Sequence, residues 1–328
     1  MSRCLLLALT LLLGSAPIAA QTTPTHANLV YAEIEGQPLQ LDLYLPSAVT
    51  SPVPLVVWIH GGGWSGGSRF PPPGFAAQLV NRGIALASVS YRLTSQAGQW
   101  GSAPVIFPAQ IHDVKAAIRW LRAQAGSYQL DPTRFGVWGS SAGGHLAALV
   151  GTSGNAPALE GNIGNHLSES SAVQAVVDYY GPTDIILMNL DVTTPPGSSI
   201  NHDAPESPVS RLIGFDQPGQ GVGVLRANLG NPAPPFPALA ELAASLSPQT
   251  WVDPTDPPFL IVHGDADMSV PFAQSVRLYA ALQAVGHQPR WRTVVGAGHG
   301  GFPAEVNIQA REFLVDQLLP LGSSGFED

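Results

Sequence analysis

The fold of this 328-residue chain is decided by one stretch, Arg134-Phe135-Gly136-Val137-Trp138-Gly139-Ser140-Ser141-Ala142-Gly143-Gly144-His145. Its first half is a short apolar run typical of a buried strand, and the small and apolar residues after it are typical of a helix start. Between them lies Gly-x-Ser-x-Gly, Gly139–Gly143, with Ser141 at its apex. Glycines there let a sharp turn pass close to both elements. The pattern therefore predicts a strand–turn–helix that presents Ser141 as a nucleophile.

Apolar runs alternate with helical patterns along the rest of the chain. The predicted buried strands are 55–59, 84–89, 172–180, 257–262 and 291–295, and the predicted helices lie near 75–80, 109–125, 272–285 and 304–319. Two alternating runs, 29–34 and 39–45, flank Glu35-Gly36-Gln37-Pro38 and predict a β-hairpin. This alternation predicts an α/β fold, with a mostly parallel, doubly wound sheet and helices on both faces.

Residues 182–250 interrupt that alternation. They are rich in Pro, Gly, Asn and Asp and carry only short helical patches, such as 239–243. Since neither a repeat nor a linker marks a second domain, we interpret 182–250 as a cover inserted after the sixth strand. Residues 21–328 are then a single catalytic domain.

The first twenty residues predict a secretory signal peptide. Arg3 precedes an apolar run, 5–13, and small residues end at Ala20, where cleavage is expected. The mature protein is therefore expected in the periplasm or the medium. The only cysteine, Cys4, lies within this segment, so neither a disulfide nor a thiolate metal site is expected.

Charge and composition restrict the partners. With 23 Asp+Glu against 14 Lys+Arg, the net charge is −9, which argues against nucleic acid and anionic membranes. After the signal peptide, the longest apolar run is too short to span a bilayer. No His, Asp or Glu cluster has metal-ligand spacing, so we expect neither a metal nor another cofactor. The oligomeric state stays open.

A serine hydroxyl becomes a useful nucleophile only when a base takes its proton and an acid orients that base. In parallel sheets such groups gather at the carboxyl ends of strands. Asp267 follows one predicted strand and His299 follows the next. The order Ser141, Asp267, His299 is that of the nucleophile, acid and base in α/β-hydrolases.

Other side chains compete for these roles. Asp265 is the alternative acid, although its place in a turn favours hydrogen bonds to local amides. His263 directly follows a buried strand and is interpreted as a packed structural residue. His145 is expected to pack beneath the site, and His287 to lie at a helix exit.

The glycine-rich segment His60-Gly61-Gly62-Gly63-Trp64 follows the first buried strand. Such a loop could hold a phosphate, but the Gly-Lys-Ser/Thr of a phosphate-binding loop is missing. We therefore predict an oxyanion hole, formed by the N–H groups of Gly62, Gly63 and Ala142. The N–H of Trp64 is an alternative to one of the loop donors.

Four aromatic residues lie in loops on the expected side of the sheet, Trp64, Phe70, Trp100 and Phe107. Trp64, Trp100 and Phe107 are predicted to bind substrate by stacking on an aromatic acyl group. Packing beneath the cover is the alternative for all three, and the sequence does not decide between these roles.

Four motifs together resemble those of the BD-FAE-like carboxylesterases of the α/β-hydrolase superfamily. They are His60–Trp64, Gly139–Gly143, His263–Pro271 and Gly296–Gly300, and the likeness extends over about 29–320. Members of that family include feruloyl and acetylxylan esterases. The resemblance implies hydrolysis of small or aromatic acyl esters, free or linked to polysaccharide, by the triad named above. The cover, where the likeness is weakest, is where substrate choice is expected to be set.

Two alternatives remain. A secreted serine peptidase of the prolyl-oligopeptidase type has the same triad order, but usually carries an N-terminal gating domain. Here the residues between the predicted signal peptide and the strand that leads into Ser141 are all assigned to the sheet and its helices. A non-catalytic binding protein on the same fold is the second alternative, and a complete set of nucleophile, acid, base and oxyanion loop argues against it.

Overall fold

A computed structural model describes residues 23–47, 49–154, 156–192 and 200–319. The predicted signal peptide lies outside them. One eight-stranded sheet has the strand order β1-β2-β4-β3-β5-β6-β7-β8. The strands are β1 His26–Ile34, β2 Gln37–Tyr44, β3 Val53–Ile59, β4 Ala85–Val89, β5 Leu130–Ser140, β6 Ala175–Tyr179, β7 Phe259–Gly264 and β8 Arg290–Val294.

Strands β3 to β8 are parallel, and β1 and β2 join the sheet antiparallel at its edge, through β4. The hairpin turn is shorter than predicted, because strand pairing resumes at Gln37. Glu35 and Gly36 both have positive φ, 50° and 72°. A two-residue turn with this backbone matches the twist of the flanking strands, which explains the tight connection.

Helices cover both faces of the sheet, which confirms the predicted doubly wound arrangement. The α-helices are α1 Ala76–Asn81, α2 Ala109–Ala123, α3 Ala125–Tyr128, α4 Ala142–Thr152, α5 Pro157–Glu160, α6 Pro208–Leu212, α7 Val222–Ala227, α8 Phe236–Ser245, α9 Phe272–Ala284 and α10 Ala304–Leu318, with 3₁₀ turns at Thr94–Gln96 and Pro248–Thr250. Helices α1 and α10 pack on one face. Helices α2, α4 and α9 pack on the other, together with the cover.

The cover follows β6, as predicted, and contains α6, α7 and α8. Helix α8 includes the predicted patch 239–243, whereas α6 and α7 are too short to show helical periodicity in the sequence. Two ion pairs hold the cover: Arg226 binds Asp203 within it, and Arg277 of α9 binds Asp191. The described part of the cover is therefore anchored to the sheet domain.

Among the residues that the structure describes, no helix combines the length and the hydropathy needed to cross a bilayer.

Candidate active site

Ser141 lies in a strained backbone conformation between β5 and α4. Its φ of 55° and ψ of −123° are unfavourable for a residue with a side chain, and two backbone hydrogen bonds hold them. The Ser141 N–H donates to the Tyr179 carbonyl at 2.8 Å, and the Ser141 carbonyl accepts from the His145 N–H at 3.0 Å. A Cβ on Gly139 would overlap the Gly143 carbonyl. The turn therefore needs its glycines, and it projects the serine from the sheet edge.

The structure brings the three residues of the predicted triad together. Ser141 Oγ lies 2.9 Å from His299 Nε2, and His299 Nδ1 lies 2.7 Å from Asp267 Oδ2. Because the carboxylate accepts the Nδ1–H of His299, Nε2 is left free to accept the serine proton. The three side chains come from the carboxyl ends of β5, β7 and β8.

The side chain of Asp267 is fully buried and accepts several hydrogen bonds. Its Oδ1 accepts the N–H groups of Ser269 and Val270 at 2.7 and 2.9 Å. Burial alone would raise the pKa of this carboxyl. The hydrogen bonds from His263 and His299, the coulombic attraction between the carboxylate and the His299 ring, and the Val270 N–H outweigh burial and hold the pKa well below its usual range. Asp267 is therefore a carboxylate at neutral pH.

The alternative acid, Asp265, lies elsewhere. Its side chain is exposed, and its Oδ1 accepts the N–H of Gly296 at 2.6 Å. This bond joins the loops that follow β7 and β8. The structure thus places Asp267 against His299, and Asp265 in a turn-forming position.

The glycine-rich loop packs directly against the serine. A Cβ on Gly61 would lie 3.3 Å from the Ser141 Cβ, and Gly62 and Gly63 have φ of 116° and 58°. Gly62, Gly63 and Ala142 line one cavity with Ser141. Within the described part of the chain, none of their N–H groups donates to another residue. The N–H of Ala142 has no acceptor within the helix because Ala142 is the first residue of α4. These groups are available to stabilise an oxyanion.

Trp64 anchors this loop through a buried histidine. The Trp64 indole, 2% exposed, donates its Nε1–H to His145 Nδ1 at 3.2 Å. His145 Nε2 lies 2.7 Å from the Leu246 carbonyl, so it carries the proton. Burial, the largest effect, lowers the pKa of His145 to about 4, against the opposing effect of that carbonyl. His145 is therefore a neutral residue that links the glycine-rich loop, α4 and the cover.

We expect the neutral state of His145 to make stability depend on pH. Its pKa of about 4 in the fold lies below 6.5, the ordinary value, so the unfolded chain binds more protons between these pH values. The stabilisation is full above pH 6.5 and is lost as the pH falls to 4. It corresponds to about 3 kcal/mol. The free-energy difference between wild type and His145→Gln in urea unfolding should shrink by about that amount from pH 7 to pH 4. An unchanged difference would contradict this account.

The cavity in front of Ser141 has a volume of about 490 Å³. The cover contributes apolar side chains to its wall, among them Met188, Ile200 and Val209. The cavity is also lined by residues with polar side chains, Ser65, Tyr180, His202 and Ser269.

Of the three aromatic residues predicted to bind substrate, only Trp64 lines this cavity. The predicted substrate contact of Phe107 is corrected by the structure. Phe107 is 1% exposed and packs in the core, and its N–H donates to the Leu212 carbonyl of the cover. Trp100 is a second correction, since its half-buried ring lies outside the cavity wall and its Nε1–H donates to Gln96 at 3.0 Å. Both residues pack against the same core cluster, so packing accounts for them.

Tyr180 and His202 are among the cavity residues that sequence reasoning missed. Tyr180 directly follows β6, has a φ of 44°, and its ring centroid lies 4.6 Å from that of His299. The rule that placed Asp267 and His299 at strand ends could have identified it. His202, 3% exposed, comes from the cover. No periodicity or motif marks it in the sequence.

A mostly parallel sheet with a serine at a strained strand–helix turn, followed by an acid and a histidine from later loops, defines the α/β-hydrolase fold. The BD-FAE family model matches residues 41–282, and the chain belongs to this family. This confirms the resemblance inferred from the four motifs.

The curated relatives include esterases. The chain is 31% identical to Esterase LipC of Mycobacterium tuberculosis over 254 residues, which are 76% of this chain and 54% of LipC. It spans about half the length of the curated relatives it matches.

Two solved structures are similar over nearly the whole chain. A truncated carbohydrate esterase from gut microbiota superimposes with a TM-score of 0.74 and 30% identity, over 93% of this chain and all of that one. Esterase 2 of Thermogutta terrifontis with butyrate bound gives a TM-score of 0.64 and 27% identity, over 90% of this chain and 96% of the other.

Proposed function

We propose that this protein is a secreted serine carboxylesterase that forms an acyl-enzyme on Ser141. The observation that carries this proposal is the hydrogen-bonded series from Ser141 Oγ to His299, 2.9 Å, and from His299 to Asp267, 2.7 Å. Esterases among the relatives and the similar structures support it. Secretion rests on the sequence of residues 1–20 alone.

The geometry suits a two-step acyl transfer. His299 Nε2 takes the proton of Ser141 as its Oγ attacks the ester carbonyl, and the carbonyl oxygen becomes an oxyanion. The N–H groups of Gly62, Gly63 and Ala142 would stabilise that charge. His299 then gives the proton to the leaving alcohol. A water molecule, deprotonated by His299, attacks the acyl-enzyme and releases the acid, and the proton returns to Ser141.

The substrates we propose are small or aromatic acyl esters, including acetyl and feruloyl esters of plant polysaccharide. An apolar wall next to the serine, in a cavity of about 490 Å³, favours a short or compact acyl group. The structurally similar esterase 2 was solved with propionate and with butyrate, and the gut relative is a carbohydrate esterase. Tyr180 supplies an aromatic side chain to this wall, while the indole of Trp64 is buried against His145.

A substrate panel tests this proposal against the peptidase alternative. We expect the purified protein to hydrolyse p-nitrophenyl acetate and butyrate and methyl ferulate, and to leave Ala-Pro-p-nitroanilide intact. Rates on the three esters then rank the acyl groups. Turnover of the peptide anilide with negligible hydrolysis of every ester would overturn the proposed function.

A further inference from the structure

His263 is a buried histidine to which the proposed mechanism assigns no step. It is the penultimate residue of β7, it is fully buried, and it does not line the cavity. Its ring nevertheless lies within contact distance of the carboxylate that orients His299. Sequence reasoning treated it as a packing residue only.

The contacts of His263 determine its tautomer. Its Nε2 lies 3.0 Å from the Val270 carbonyl oxygen and 3.2 Å from Asp267 Oδ2. Both oxygens can only accept, so Nε2 must carry a proton. On the other side of the ring, Nδ1 lies 2.7 Å from the buried hydroxyl of Ser275 in α9, which donates to it in the neutral ring. The imidazole is therefore held at both nitrogens.

The Nε2–H of His263 is within reach of two acceptors, the Val270 carbonyl and Asp267 Oδ2. If that hydrogen were absent, the buried carboxylate would lose one of its donors. Rotation of a carboxylate released on this side would move Oδ2 from His299 Nδ1, now 2.7 Å away.

We propose that His263 is a positioning residue for ester hydrolysis, which keeps Asp267 Oδ2 in place against the Nδ1–H of His299. The proposal rests on the proposed function, because its effect is exerted through the triad. It extends the hydrogen-bonded series inward, from Ser141, His299 and Asp267 to His263 and Ser275. Since His263 does not touch the cavity, its loss should affect turnover and spare substrate binding.

The test compares two substitutions of His263. His263→Leu has nearly the same size and lacks a donor, whereas the amide of His263→Gln can place an N–H near the position of Nε2. For p-nitrophenyl acetate, we expect kcat of the Leu variant to fall about 10- to 100-fold, as for a lost hydrogen bond to a charged group, with KM within about twofold. The Gln variant should recover most of that kcat. Similar thermal unfolding of both variants would show that the difference is not one of folding.

Two further variants complete the design. Ser275→Ala removes only the donor to Nδ1 and should lower kcat about 2- to 10-fold, so it decides the matter if the Leu variant does not fold. His287→Leu is the matched control, because His287 Nε2 also contacts a backbone carbonyl, that of Asp253, away from the triad. It should keep the wild-type kcat. Wild-type kcat in both His263→Leu and Ser275→Ala, or equal losses in the Leu and Gln variants, would overturn the role of His263. An inactive wild type, or an active Ser141→Ala variant, would instead reject the proposed function.

Discussion

Ser141→Ala should lower kcat/KM for p-nitrophenyl acetate by about 10⁴- to 10⁶-fold. Among the residues that the structure describes in the cavity, only Ser141 combines a hydroxyl at the strained turn with a 2.9 Å contact to His299 Nε2, so none of them replaces it. The remaining activity would come from the oxyanion donors and His299 acting on water. Initial rates of the wild type and the variant, taken at equal concentrations of folded protein, measure the effect.

The control for this variant is another serine of the same segment. Ser153 directly follows α4, and its hydroxyl donates to the Leu149 carbonyl, remote from the cavity. Ser153→Ala should keep the wild-type rate. Ester hydrolysis by Ser141→Ala within tenfold of wild type would rule out Ser141 as the nucleophile.

Asp267→Asn should lower kcat by about 10⁴-fold at neutral pH, with little change in KM. The N–H groups of Ser269 and Val270 both bind Oδ1, so the amide oxygen of Asn will take that position. Its NH₂ group must then face His299 and His263, which both donate to this side of the carboxylate. His299 can accept a hydrogen bond from this NH₂ only in the tautomer that carries its proton on Nε2. In that tautomer, Nε2 can no longer accept the proton of Ser141.

Asp265→Asn is the matched control, and it also tests whether Asp265 rather than Asp267 is the acid of the triad. The side chain of Asp265 is exposed, and in the described hydrogen-bond network it accepts only the N–H of Gly296. We therefore expect kcat to stay within about threefold of wild type. A loss at Asp265 as large as that at Asp267 would reassign the acid. Steady-state kinetics of both variants at one pH suffice.

The parts of the site that were predictable depend on local sequence and on one topological rule. Continuous apolar runs mark strands buried on both faces, and Ser141, Asp267 and His299 each follow such a run within a few residues. Parallel strands bring their carboxyl ends to one edge, so the three side chains could be placed together before their distances were known. The glycine-rich loop after β3 follows the same rule.

The remaining parts depend on packing between distant segments. Whether Phe107 or Trp100 faces the cavity is determined by where the cover lies, and two of the helices described in the cover, α6 and α7, are too short to be predicted from periodicity. His202 comes from that cover and is unmarked for the same reason. His263 shows a further limit: its position after a strand identified it as buried, but its contact with Asp267 depends on the turn that brings residue 267 back over the strand end.

The link from Trp64 through His145 to the Leu246 carbonyl has a consequence for the order of events in a catalytic cycle. One neutral ring joins the glycine-rich loop, α4 and the cover, so contacts within the protein itself hold the proposed oxyanion donors in place. We therefore expect substrate binding to require no reorganisation of that loop, which leaves the full interaction with the oxyanion available to lower the barrier. Kinetically, such an enzyme should show no lag on soluble esters and no dependence on a lipid–water interface for activity.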